Sequence, residues 1–295
     1  MKFNKSLYKK EIKKEKALWN KIASNEIKKM QPDYKYYKET IPYKIYRNNY
    51  VKKMLNKINK NDIVLELGCY NGWFTLEMAR KGAKIDAYDF STKAINIASK
   101  YYLKRKKVEK FTGRIKYHLQ DLNYPFFQKN KYSKIVIRNV LHHLINLNYL
   151  YKELYSSLRK NGEILIEDAL PCRKFEALIT GILLFILPTD IPYSEKLKRI
   201  FKKGSILSRT QNLVDAKGSS PFESITGEEH LFYLKKYFVF KYKTFAAFVG
   251  TISSHLKIKN AKKIILLKII NKLDILLINL GLVRGTIYYL EGIKK

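Results

Sequence analysis

Ile63 to Arg80, IVLELGCYNGWFTLEMAR, is the stretch whose reading decides the fold. Ile63-Val64-Leu65-Glu66-Leu67 is apolar apart from one acid and lies between Asn61-Asp62 and Gly68, the pattern of a short buried strand. After Gly68-Cys69-Tyr70-Asn71-Gly72 the period changes. Apolar residues then recur at Trp73, Phe74, Leu76, Met78 and Ala79, which is helical spacing. Strand, glycine-bounded turn and helix make the first half of a nucleotide-binding βαβ unit, in which backbone can approach a ligand closely. The turn is neither the G-x-G-x-x-G of dinucleotide sites nor a phosphate loop with Gly-Lys-Ser/Thr; a tight turn with no ligand is the alternative.

Glu66-Leu67-Gly68-Cys69-Tyr70-Asn71-Gly72 resembles the first motif of class I S-adenosylmethionine-dependent methyltransferases, Glu/Asp-x-Gly-x-Gly-x-Gly, with Tyr70 in place of the middle glycine. The resemblance implies a doubly wound, seven-stranded Rossmann-like sheet and S-adenosylmethionine as cofactor. Lys84 to Tyr88 reads as the second strand and ends at Asp89, 17 residues after Gly72, near the interval expected for the acid that binds a ribose in such units. In the family that acid accepts both ribose hydroxyls, and Phe90 would border the adenine. Ser91 caps a helix from Thr92 to about Lys107. Arg114 to Leu119 alternates as a third strand. It leads to Asp121, placed where the family binds the adenine amine. Lys134 to Arg138 is a buried fourth strand and Glu163 to Glu167 a fifth that delivers Glu167 and Asp168, so several polar strand ends meet at one carboxyl edge. The resemblance thus assigns the cofactor to Glu66, Gly68, Cys69, Tyr70, Gly72, Asp89, Phe90, Asp121, Leu122 and Asn139.

Leu141-His142-His143-Leu144 is similar to the His-His turn of small-molecule members of the family. An imidazole titrates near neutrality and suits a general base, although one His of such a pair often only packs or caps a helix. His143, His142, Glu167, Asp168 and His230 are the candidates for catalysis. Leu158-Arg159-Lys160-Asn161-Gly162 closes a helix from Leu147 and resembles the family's turn into the fifth strand.

The chain has 295 residues, 46% of them hydrophobic, enough for one large core with a cap. Its two cysteines, Cys69 and Cys172, lack metal-ligand spacing, so no metal site is expected; they suit a reducing, cytoplasmic setting. With 59 basic against 25 acidic residues the net charge is +34, which attracts phosphate polymers and anionic lipid surfaces whether or not they are substrates. RNA and peripheral membrane contact therefore stay open as partners. No Asn/Asp-Pro-Pro-Tyr run follows the fourth strand, which disfavours adenine amines, and the flanks of Cys172 do not match cytosine-5 RNA enzymes.

Four regions are expected: an N-terminal helical extension (1–55), the cofactor-binding core (56–170), a helical cap or lid inserted after the fifth strand (171–225) and the completion of the core (226–295). The opening Lys/Glu-rich segment reads as a helix laid on the core or as a basic arm. The tyrosines of 32–50 either stack bases or pack over the cofactor. Ala177 to Pro188, ALITGILLFILP, is too short to cross a bilayer; it fits a core helix, a cap over an apolar substrate or an interfacial helix. A basic helix from Ile191 to Lys203 and a polar lid from Gly204 to Ser220 follow. Thr226 and Glu229 form a capping box, Tyr237 to Phe240 begins a sixth strand, Ala261 to Leu282 is a helix and Thr286 to Leu290 a seventh strand. That last helix packs on the sheet or binds a membrane surface. A small, lipid-linked or glycan acceptor is the leading expectation. A basic RNA methyltransferase and a non-catalytic interaction module are the alternatives.

Overall fold

The computed structural model describes residues 5–200, 227–257 and 260–295. The expected strand–turn–helix is present: β1 (Ile63–Leu67) runs through the Gly68–Gly72 turn into a helix at Trp73–Arg80. Successive β1 side chains point to opposite faces of the sheet. Val64 joins the core cluster that contains Trp73, Leu76 and Met78, whereas Leu65 and Leu67 join the cluster of the opposite face.

Seven strands form one sheet in the order β3-β2-β1-β4-β5-β7-β6. Besides β1 they are β2 (Lys84–Asp89), β3 (Arg114–Leu119), β4 (Tyr132–Arg138), β5 (Leu158–Ala169), β6 (Phe238–Phe245) and β7 (Ile287–Lys294). The first five are parallel, and β7 runs antiparallel to both β5 and β6. The order turns outward in two directions from β1 and β4. The carboxyl ends of those strands therefore flank the crevice where open α/β sheets bind ligands.

Helices in chain order are α1 (Lys5–Ile27), α2 (Tyr34–Tyr37), α3 (Asn48–Asn56), α4 (Trp73–Arg80), α5 (Thr92–Val108), α6 (Leu147–Ser157), α7 (Lys174–Ile186), α8 (Tyr193–Ile200), α9 (Gly227–Tyr237), α10 (Val249–His255) and α11 (Asn260–Asn279). Leu147, Leu150, Tyr151 and Leu154 fall at helical spacing on the buried side of α6. Each such buried side chain contributes roughly 1.5–3 kcal/mol of transfer free energy. A π-turn at Tyr43–Arg47 joins α2 to α3.

Several sequence expectations need correction. β5 begins at Leu158, which pairs with Tyr132, and the ladder shifts register before resuming at Lys134 and Glu163; Asn161 takes a left-handed backbone (φ 61°) in the intervening turn. The last helix stops at Asn279, and the short α10 was not foreseen. Of the tyrosines of 32–50, Tyr34 and Tyr37 stack on Trp73 at 5.6 and 4.7 Å, and Tyr43 meets its edge, while the Tyr37 hydroxyl accepts from the Asn71 side chain in the glycine turn. Helix α7 buries Ala177, Thr180, Gly181 and Leu184 and leaves Phe175, Ile182 and Ile186 exposed. No helix among the described residues is long and apolar enough to cross a membrane. The expected lid at Gly204–Ser220, the run from Ser220 and the capping role of Thr226 lie outside the described residues.

Candidate functional site

A cavity of about 60 Å³, open on one side to solvent, lies at the carboxyl edge between β1, β2 and β4. Its floor comes from four strand ends: Gly68 and Tyr70 after β1, Asp89 and Phe90 after β2, Asp121, Leu122 and Asn123 after β3, and Asn139, Val140, His143 and Leu144 after β4. Its roof comes from α1, through Ile12, Glu15 and Trp19.

The two outer glycines are required by contacts within the chain. Gly68 (φ 68°) faces Val140, whose Cβ would lie 2.7 Å from an added Cβ. Gly72 (φ 78°) begins α4, and a Cβ there would meet the Tyr117 hydroxyl at 2.6 Å and Ala98 at 2.8 Å. Tyr70 occupies the middle position with φ 49°, a left-handed conformation that costs a non-glycine residue roughly 1–2 kcal/mol. Two interactions hold it there. Its amide donates to Asp89 Oδ2 at 2.9 Å, and its ring meets Trp19 edge-on with centroids 5.9 Å apart.

Asp89 accepts from the amides of Tyr70 and Ser91, the latter at 2.8 Å on Oδ1. A carboxylate offers about four acceptor sites, so these bonds orient it without exhausting it. Burial pushes its pKa up to about 6, against the pull of those amides. Glu66 is buried beneath the same turn, accepts from the Thr75 hydroxyl at 2.6 Å, and is pushed by burial up to about 7. It does not line the cavity, nor do Cys69 and Gly72. Cys69 is buried, and burial raises its thiol well above the ordinary range. Asp121 accepts from the Asn123 amide at 2.9 Å through Oδ1, and from the Tyr8 hydroxyl of α1 at 2.5 Å through Oδ2.

The acids and imidazoles beyond β4 and β5 fall into two groups. His143 lines the cavity with its ring edge-on to Trp19 at 5.3 Å, its Nδ1 3.4 Å from Glu15 Oε1. Burial, with the neighbouring His142, lowers its pKa to about 3, so it is neutral at physiological pH. His142, Glu167, Asp168 and His230 do not line the cavity. Asp168 Oδ2 accepts from the amides of Val140 and Leu141 at 2.9 and 2.7 Å, and His142 Nδ1 meets Oδ1 at 2.5 Å. Burial alone would raise the Asp168 pKa; His142 and the turn amides outweigh it and hold the carboxyl well below the usual range. Glu167 is fully buried against two arginines, Arg138 at 2.6 and 2.9 Å and Arg47 at 3.1 Å. The Arg138 guanidinium in turn lies over the rings of Trp73 and Phe74 at 4.8 and 4.5 Å. His230 is buried beside the Tyr151 hydroxyl at 3.4 Å, and burial lowers its pKa to about 4.

Sequence reasoning missed α1 as a wall of the site. Tyr8, Ile12, Glu15, Trp19 and Glu26 follow spacings of three, four and seven, the stripe of one helix face. Three of the five are aromatic or aliphatic and two are glutamates, so the stripe reads as the inner face of any helix laid on a core, and nothing local says that it covers a ligand cavity. Asn20 extends the same contact: its side-chain oxygen accepts from the Ser91 hydroxyl and the Lys93 amide at 2.8 and 3.0 Å.

Comparison with known proteins bears on this geometry. The model of a methyltransferase domain matches residues 37–202, more than half of the chain. A comparison with curated proteins finds no match. Among solved structures the chain is similar to an S-adenosylmethionine dependent methyltransferase from Mesorhizobium loti, at 15% identity over 86% of this chain and 98% of that one, with a TM-score of 0.49. It is also similar to the (4+2)-cyclase SpnF, at 10% identity over 84% and 80% of the two chains, with a TM-score of 0.50. Phosphoethanolamine N-methyltransferase 2 of Haemonchus contortus, solved in complex with S-adenosyl-L-methionine, matches at 13% identity and a TM-score of 0.48. That match covers 84% of this chain and 52% of the other, so the chain spans about half the length of the Haemonchus enzyme. At these identities the likeness is one of fold. The family match and the seven-stranded order together make this chain a member of the class I S-adenosylmethionine-dependent methyltransferases.

Proposed function

We propose that the chain transfers a methyl group from S-adenosylmethionine to a small-molecule acceptor, lipid-linked or glycan, bound beneath α1. The observation that carries this reading is the convergence of Asp89, Asp121 and His143 on one roofed cavity at the switch point of the sheet. The donor set fits the cofactor. Asp89 is a buried, amide-oriented acceptor suited to ribose hydroxyls, and Asp121 an acceptor suited to an amine. Phe90 and Leu122 supply apolar surface between them. Asn139, with its backbone left-handed at φ 50°, and Gly68 border the opposite end. When bound, S-adenosylmethionine would supply an activated sulfonium methyl, open to in-line attack by an acceptor's lone pair with the neutral thioether S-adenosylhomocysteine as the leaving group.

The protein must then align the acceptor and exclude water. His143 is neutral and can accept a hydrogen bond from an acceptor hydroxyl or amine. With its pKa near 3 it is a weak proton sink, so we assign it to orient the acceptor, with Glu15 beside it to take up positive charge. Asp168 and His142 are positioning residues, because they hold the turn that carries His143. The α1 roof favours a small acceptor over a base in an RNA polymer, which would have to pass beneath the helix.

The test is methyl transfer from labelled S-adenosylmethionine to separated pools of lipid-linked, glycan and RNA acceptors. Label entering the lipid or glycan pool, with turnover falling roughly 10²-fold in His143→Ala as the acceptor loses its alignment, is expected. Label confined to RNA, or turnover unchanged in His143→Ala, would contradict the assignment.

A further inference from the structure

The α11 helix is apolar on both sides. Inward, Leu267 is fully buried while Leu266, Ile270, Leu277 and Ile278 pack on the core. Outward, Ile265, Ile269 and Leu276 are 60%, 59% and 55% exposed, and Leu273 is exposed beside them. At 100° per residue these four side chains form one stripe along a helix about 30 Å long. A helix on a soluble core needs one apolar face, and a second such face marks a surface that something covers.

Charge identifies what covers it. Lys268 and Lys272 are exposed along one flank of the stripe. Between His230 and Leu290 the sequence holds ten lysines and one arginine but a single acid, Asp274. That acid is fully buried and spent on the fold, its Oδ2 accepting the amides of Phe248 and Val249 at 3.0 Å where α10 begins. The outward face of α11 therefore carries positive charge only. Aliphatic side chains flanked by lysines match the boundary of an anionic bilayer, where the stripe enters the acyl region and the lysine stems reach back to lipid phosphates. RNA would engage the lysines but leave the aliphatic stripe in water.

We infer that α11 docks the protein on anionic lipid surfaces, lying in the plane of the interface. This rests on the outer face of α11 and is independent of the methyl-transfer reading.

The experiment is flotation of the full chain with phosphatidylcholine vesicles, with and without phosphatidylglycerol, at low and high salt. Wild type should float with the anionic vesicles and stay in solution with the neutral ones. Ile269→Asp with Leu276→Asp should lower the bound fraction constant about tenfold or more at unchanged charge elsewhere. Lys268→Glu with Lys272→Glu should lower it at least as much and flatten its salt dependence. All four positions are exposed, and thermal melting checks that each variant folds. Wild-type protein that stays in solution would overturn the inference and leave a second copy of the chain as the covering partner. Binding unchanged by the two aspartates, with RNA displacing the vesicles, would overturn it in favour of charge attraction to phosphates alone.

Discussion

Two pairs of acids sit at the same edge of the sheet and live in opposite surroundings. Glu66 and Asp89, at the ends of β1 and β2, are compensated mainly by neutral donors, a threonine hydroxyl and backbone amides. Burial pushes them up to about 7 and 6. Glu167 and Asp168, at the end of β5, face Arg138, Arg47 and His142, and Asp168 is held well below the ordinary range. A carboxylate whose charge is already matched inside the protein serves the fold. Of the under-compensated pair only Asp89 lines the cavity, and the proposed function gives it a ligand that brings its own donors; Glu66 lies beneath the turn.

Removing a cation from the matched pair should produce the largest effect. Arg138→Met leaves Glu167 buried with Arg47 alone, and breaking such a pair costs about 3–5 kcal/mol. Urea denaturation should show that loss, and adding Glu167→Leu together with Arg47→Met, so that no charge stays buried and unpaired, should recover most of it. If the single variant were as stable as wild type, the structural role given to this pair would be wrong.

In the other pair the expected loss is in binding. Asp89→Ala removes a charged acceptor, and hydrogen bonds to charged groups contribute about 1.5–3 kcal/mol each, so affinity for S-adenosylhomocysteine should drop roughly 10²-fold. Asp89→Asn should lose less, since its side-chain oxygen can still accept. Calorimetric affinities equal to wild type in both variants would place the ribose elsewhere.

Tyr70→Gly should change least. Glycine relieves the left-handed strain at φ 49° but gives up the edge-on contact with Trp19, two terms of about 1 kcal/mol each with opposite sign. Stability should stay within about 1 kcal/mol of wild type and cofactor affinity within about fivefold. A gain of several-fold beyond that would mean that the Tyr70 side chain obstructs the site.

The contrast between the two pairs was not legible in the sequence. Local patterns carry the strands, the glycine turn and the positions of Asp89 and Asp121, because a buried strand and the turn after it are written in adjacent residues. Glu167 and Asp168 look like site acids for the same reason, as they too end a buried strand. What removes them from the cavity is tertiary: Arg138 lies 29 positions away, Arg47 120 and His142 26. The roof is hidden likewise, since Tyr8 meets Asp121 across 113 positions, a contact that the spacing within α1 does not reveal. His142 and His143 are neighbours in sequence with different tasks, one bound to Asp168 and the other facing the cavity.

The under-compensated pair also has a sign in pH. Glu66 and Asp89 hold protons more tightly folded than unfolded, from 4.5 and 3.8 up to about 7 and 6. Without ligand, their contribution to stability is present at low pH and lost as pH rises through that window. Asp168 works the other way: its contribution is present above its unfolded value of 3.8 and lost as pH falls below it. A ligand whose hydroxyls bond the ionised Asp89 must expel the proton held there.

Calorimetric titration with S-adenosylhomocysteine near pH 6 and pH 8, in buffers of different ionisation enthalpy, tests this most directly. The account predicts saturable binding at both pH values, tighter at the higher one, with proton release that makes the observed heat depend on the buffer near pH 6 and not near pH 8. Binding with no buffer dependence near pH 6 would contradict the role given to Asp89, and no saturable binding at either pH would contradict the site itself.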